Sequence, residues 1–247
     1  MTETDKFNVF LVNDGRHYEV PFLKRLGDLS DEVCRTVKDA KTGVEYPVLA
    51  ALVDHKLKEL DFKLTMSHEV EFIGYNHPDG RRTYLRSLCF VLQNAVRELF
   101  PDKVLIIDHS LPSGLYCNIC EVKLCEDGRR TPLKLSDNDI DAIRNRMREI
   151  VDADMPFEKR KMDAVEAELL FDNNNQPDKA ELQRSLGKFL CSVYFLDGKA
   201  DTFHGPLLHS TGALKVFDLI PFAQGFCLQF PSEGDFSKVI PVKTQSK

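Results

Sequence analysis

Gly74-Tyr75-Asn76-His77-Pro78-Asp79-Gly80-Arg81-Arg82 separates two sequence regimes. Two glycines and a proline within nine residues interrupt regular structure rather than continue it. The apolar periodicity on the two sides differs as well. The boundary placed here gives a first domain over 1–75 and a second over 76–247, and 247 residues with 43% hydrophobic content can fill two cores.

Upstream, Phe7 to Tyr18 reads as two short strands around Asn13-Asp14-Gly15, since Asp-Gly supplies the positive dihedrals of a tight hairpin turn. Leu29, Val33 and Val37 then recur at helical spacing, with Ser30 or Asp28 as N-cap and Gly43 beyond the end. Val48–Val53, Leu57–Leu64 and Val70–Ile73 are short and strand-like. A hairpin, a helix and further short strands make a β-grasp pattern.

Downstream, Leu85, Leu88, Cys89, Leu92, Val96 and Leu99 line one face of a long helix from Tyr84, closed by Pro101. Val104–Ile107 and Leu115–Val122 flank Pro112-Ser113-Gly114 as an antiparallel pair. Ser136 and Asp139 resemble a capping box before Ile140, Ile143, Met147 and Ile150. Asp163–Phe171 and Asp178–Leu186 read as helices, and Phe189–Leu196, Ala213–Ile220 and Gly225–Phe230 as strands. The expected class is α+β: a β-grasp domain followed by an α/β domain with an antiparallel sheet.

A net charge of -6 leaves no global basic field of the kind that draws proteins to phosphate backbones, so any nucleic-acid contact must be local. No apolar run reaches the roughly 18 residues of a membrane span, and the polar start is unlike a secretory leader, so a cytoplasmic location and no membrane partner are expected. Seven scattered cysteines fit reduced, packed thiols. Cys117 and Cys120 are three apart in a predicted strand and point to opposite faces unless a bulge intervenes, so no metal site is expected. His109, His204 and His209 are scattered and read as surface or hydrogen-bonded residues.

Three segments resemble the N-terminal region of threonyl-tRNA synthetases, in the order of that family. Ala50-Ala51-Leu52-Val53-Asp54-His55-Lys56-Leu57-Lys58-Glu59-Leu60 is similar to the end of its small β-grasp (TGS) domain, with Asp-His replacing an Asn-Gly turn. Leu85–Leu99, Phe100-Pro101 and Pro112-Ser113-Gly114-Leu115-Tyr116 resemble the helix and strand of its editing domain. Lys134–Ala167, with Phe157-Glu158-Lys159-Arg160-Lys161, and then Asp201-Thr202-Phe203-His204-Gly205-Pro206-Leu207 complete the series. The same pair of domains precedes the P-loop kinase of a bacterial group resembling uridine kinases, in which Gly80-Arg81-Arg82-Thr83-Tyr84-Leu85-Arg86-Ser87-Leu88 is typical. That closer resemblance implies a non-catalytic regulatory or substrate-sensing region of a nucleoside-kinase-like protein. The alternatives are a free-standing hydrolase of mischarged tRNA and a tRNA-binding module.

The family's editing chemistry uses a His-x-x-x-His pair and a Cys-x-x-x-His pair. Carried onto this sequence, those positions hold Arg86, Phe90, Phe203 and Leu207. Phenylalanine and leucine neither bind metal nor accept a proton from water, so no catalytic residue is expected. The resemblance leaves a degenerate pocket of Arg86, Phe90, Tyr116, Asp201, Phe203, His204 and Leu207, with core filling as the default for its apolar members. Arg81, Arg82, Lys159 and Lys161 are candidate phosphate contacts, solvated faces being their default. Gly187-Lys188-Phe189 and Gly198-Lys199-Ala200 are not Walker loops, so ATP and magnesium are expected only in a kinase domain beyond this chain and no cofactor within it. The expected partners are that kinase domain in cis and a nucleoside, an amino acid or tRNA.

Overall fold

The structure is a computed structural model describing residues 5–125, 130–174, 176–187 and 189–241. The chain forms two compact units, Met1–Arg86 with Met155–Ser210 and Ser87–Asp154 with Thr211–Lys247. Each unit joins two separated stretches of chain. The partition at 75/76 marks a change in sequence pattern, whereas these units are defined by packing.

The first unit begins with β1 (Lys6–Leu11), β2 (Arg16–Pro21), α1 (Leu26–Val33), β3 (Thr36–Lys38), β4 (Glu45–Pro47), β5 (Ala50–Val53), β6 (Lys56–Lys58) and β7 (Glu69–Ile73). Five of these strands form one sheet in the order β2-β1-β7-β5-β6, with β1 parallel to β7 and the other pairs antiparallel. Val9, Leu11, Val20, Leu26, Leu29, Val70 and Phe72 are buried, so alternate positions of the strands and one stripe of α1 make the core. The predicted turn closes β1 and β2: Gly15 takes φ +72° and donates to Leu11 O, while Asp14 accepts from the backbone N–H of Arg16.

Two local expectations change. The first helix starts earlier and ends sooner than its apolar spacing predicts: Arg25, not Asp28 or Ser30, is the N-cap, and Val37 lies in β3 opposite Tyr46. Gly43, expected beyond a helix end, takes φ +73° in the β3–β4 connection instead. The strand-like run from Leu57 to Leu64 is extended only as far as Lys58; Phe62 N–H then donates back to Glu59 O in a turn. Between β5 and β6, Asp54 and His55 both have positive φ (48° and 62°), the condition of the tight turn that Asn-Gly fills most easily.

Helix α2 (Pro78–Leu99) begins six residues before the expected Tyr84, inside the stretch that reads as an interruption. Proline is tolerated in a first turn, where its missing N–H has no intrahelical partner. Gly80 is there for space: a Cβ would lie 1.9 Å from Gly74 O. The division between the units falls within this helix, after Arg86.

In the second unit, β8 (Lys103–Leu111) and β9 (Gly114–Leu124) pair antiparallel around Pro112-Ser113, with a register shift between Ile107 and His109. The short β10 (Arg130–Pro132) pairs with the other edge of β9, and α3 (Asp137–Asp152) follows. Its capping box is formed as the spacing predicts: Ser136 Oγ accepts from Asp139 N–H, and Asp139 Oδ2 accepts from Ser136 N–H at 2.8 Å. Ile140, Ile143, Met147 and Ile150 are buried.

The chain then returns to the first unit through β11 (Glu158–Asp163), α4 (Ala164–Asn173), α5 (Pro177–Leu186), β12 (Leu190–Leu196) and β13 (Lys199–Asp201). These strands make an antiparallel sheet in the order β11-β12-β13. One face packs on Ala167 and Phe171 of α4 and Ala180 of α5 through Val193 and Ala200, with Met162 and Phe195 alongside. The second unit ends with β14 (Asp218–Phe222) and β15 (Gly225–Gln229), which join β9 to give β10-β9-β15-β14. Ala213, expected to open a strand, instead closes a single 3-10 turn (Thr211–Ala213), so the strand starts only at Asp218. Among the described residues no helix is long and apolar enough to cross a membrane.

Candidate functional site

The segment after β13 is held in place by a helix-borne arginine. Arg86 Nε and Nη2 donate to Pro206 O at 3.0 and 2.9 Å, and Nη2 also donates to Thr83 Oγ1 at 3.1 Å. Gly205 lies on the guanidinium with φ +121°, where an added Cβ would approach Arg86 Cζ to 3.0 Å. Side chains rarely adopt that backbone conformation, so the glycine is required by dihedral as well as by space. Burial lowers the Arg86 pKa, opposed by nearby Tyr194, and an arginine stays cationic through such a shift.

Asp201, at the end of β13, is 1% exposed and forms an ion pair with Lys179 of α5, while also accepting from Thr202 N–H at 2.7 Å. A buried carboxylate needs such compensation. It is thereby engaged within the fold. Phe203 stands edge-on to Tyr194, with ring centroids 6.2 Å apart, His204 is exposed, and Leu207 is fully buried.

Beside this segment opens a cleft of about 920 Å3, enclosed by first-unit residues that include Glu59, Lys159, Lys161, Tyr194, Phe203 and His209. Strand alternation sends Lys159 and Lys161 to one face of β11 and Arg160 and Met162 to the other, where Arg160 lies 4.4 Å from the Phe195 ring centroid. Lys159 Nζ is 2.9 Å from Glu59 Oε1 and 5.5 Å from the Tyr194 ring centroid. Tyr194 donates its hydroxyl to Glu59 Oε2 at 3.0 Å, and its pKa is pushed above the usual phenol range, first by burial and then by the charge of Glu59. His209 contacts Asp61 at 2.8 Å, and Asp61 also pairs with Arg25. Lys161 is exposed on the same cleft face as Lys159.

The remaining candidates are placed differently. Arg81 donates to Asn76 O at 3.0 Å, and Arg82 pairs with Asp79, so both are engaged at the start of their own helix. Phe90 and Tyr116 belong to the second unit. Phe90 is fully buried, and Tyr116 packs against His109 and Phe222 with centroids 5.3 and 5.7 Å away. Cys117 and Cys120 are both buried on β9, and burial pushes the Cys117 thiol far above its ordinary range. Among the described residues no group of three or more His, Cys, Asp or Glu side chains could hold a metal ion.

The arrangement can therefore bind through cations and aromatic rings, but none of the groups at Arg86, Phe203 or Leu207 can take a proton from water. Over most of its length the chain resembles threonine–tRNA ligases. It is 30% identical over 207 residues to the ligase of Rubrobacter xylanophilus, covering 83% of this chain and 29% of that one. For the ligase of Pelobacter propionicus the identity is 28% over 213 residues, with 86% and 31% covered. That of Syntrophotalea carbinolica is 28% identical over 186 residues, with 75% and 28% covered. The chain thus spans less than a third of the length of these relatives. No family model matches it.

These relatives make the chain a tRNA-synthetase-related region and favour the tRNA-related alternative over a regulatory region attached to a kinase. Sequence reasoning missed Glu59 and Tyr194 as site residues. Glu59 is 100 positions from Lys159 and 135 from Tyr194, and no spacing rule joins such positions. The only signal for the strand was its run of basic residues between Glu158 and Met162.

Proposed function

We propose that this chain is a non-hydrolytic tRNA-binding module related to the N-terminal region of threonyl-tRNA synthetase. Residues 5–75 act in this reading as a TGS-type β-grasp module, supported by the helix after the first hairpin and the parallel contact of β1 with β7. The cleft takes a segment of single-stranded nucleic acid, with phosphate held at Lys161 and Lys159 and a base against Tyr194 or Phe203. Basic grooves lined by aromatic rings bind single strands by this combination. Binding requires no metal and no cofactor.

The observation that carries the reading is the Lys159–Lys161 face beside Tyr194 in a chain similar to threonine–tRNA ligases. The commitment of Arg86 to Pro206 O supports the absence of hydrolysis, because that guanidinium fixes the backbone and activates no water. Fluorescence anisotropy with labelled threonine tRNA at several salt concentrations tests both parts when paired with a deacylation assay on mischarged threonine tRNA. Salt-dependent binding without release of the amino acid is the expected result. Absence of binding at low salt would refute the module, and turnover would restore the hydrolase.

A further inference from the structure

We propose that the outer face of the α4–α5 hairpin is a homodimer interface, in which two copies of this chain pair across a twofold axis. The proposal uses the first unit alone and is independent of the tRNA reading.

The two helices follow one another after three residues and pack together, the arrangement of an antiparallel helical hairpin. Ala167, Phe171 and Ala180 face the β11-β12-β13 sheet. A helix with one face on a core is ordinarily polar on the other. Here the outward positions are apolar: Val165 is 64% exposed and Leu169 58%, four apart on α4, and Leu182 and Leu186 (37% and 38%) are four apart on α5. Phe189, 89% exposed, and Leu190, 64% exposed, extend the patch, and Ala164 N–H donates to Phe189 O at 3.0 Å to fix Phe189 near the start of α4.

The six side chains together offer roughly 700 Å2, above the largest apolar patch of a typical monomer. A face of this size meeting its own copy removes about 1,400 Å2 from water, within the range of specific interfaces. A second copy matches the patch in area, shape and chemistry at once, because a two-helix face laid on the same two-helix face closes a four-helix layer. The rim is suited to self-pairing. Glu168 and Arg184 join the two helices by an ion pair and present both signs of charge, so a twofold mate meets no wall of like charge.

Sedimentation equilibrium of the purified chain over a wide concentration range tests the interface, with Leu169→Glu and Leu182→Glu each altering one helix. The wild type is expected to dimerise, and each variant to raise the dissociation constant at least tenfold while keeping the wild-type circular dichroism spectrum. Because both positions are solvent-exposed in the single chain, loss of helical signal in one variant leaves the other as the readout. A wild type that remains monomeric at its highest soluble concentration, or folded variants that associate as tightly as the wild type, would overturn the proposal.

Discussion

Helix α2 and strand β11 each carry a cluster of basic residues, and the fold uses the two clusters differently. On α2, Arg81 donates to Asn76 O, Arg82 pairs with Asp79, and Arg86 donates twice to Pro206 O. On β11, Lys159 pairs with Glu59 at the cleft, and among the described residues Lys161 has no such ion pair. Guanidinium groups suit carbonyl clamping because their donors form a planar fork, whereas an ammonium is a compact charge that solvent or a phosphate can satisfy. Charge count alone would rank the arginine cluster as the better phosphate site. The geometry assigns it to architecture.

The largest effect that could break this comparison is on stability. Arg86→Ala should destabilise the chain by about 2–3 kcal/mol in urea titration, since it removes charge-assisted bonds to a carbonyl on a half-buried segment. Arg86→Lys should recover only part of that loss. A wild-type unfolding midpoint in Arg86→Ala would remove the clamp from the account.

Next in size, Lys161→Ala should weaken tRNA binding severalfold and reduce the salt slope by about 1, while stability changes by less than about 0.5 kcal/mol. Lys159→Ala sharpens the contrast because it also leaves Glu59 without its cation, so a loss of both stability and affinity is expected from anisotropy and urea data together. Equal affinity losses in Arg82→Ala and Lys161→Ala would show that the helix and strand cations do the same work.

The smallest effect concerns the turn beside the Glu59 wall of the cleft. His55→Gly should stabilise the chain by about 0.5–1 kcal/mol, because His55 occupies a left-handed conformation that glycine adopts without strain. Thermal unfolding is the measurement. Destabilisation would mean that the side chain makes a contribution exceeding that relief.

Elements governed by near neighbours were legible before folding. The Ser136–Asp139 capping box lies within one helical turn, and Ile140, Ile143, Met147 and Ile150 recur at its period, so α3 could be read locally. The start of α2 could not. Gly80 reads as an interruption until the Gly74 carbonyl is seen packed where its side chain would be. Val37 shows the converse failure, since helical spacing from Leu29 and Val33 concealed its pairing with Tyr46 in β3.

For the site, the sequence by itself determined which chemistry is absent: Arg86, Phe90, Phe203 and Leu207 carry neither imidazole nor thiol. It also determined that a basic run lies between Glu158 and Met162. Only the tertiary structure decided that Arg86 grips Pro206 across 120 positions and that Glu59 meets Lys159 and Tyr194 at a cleft. Side-chain chemistry and helical or strand period are properties of a residue and its near neighbours, whereas the pairing of distant groups depends on how the backbone closes around the core.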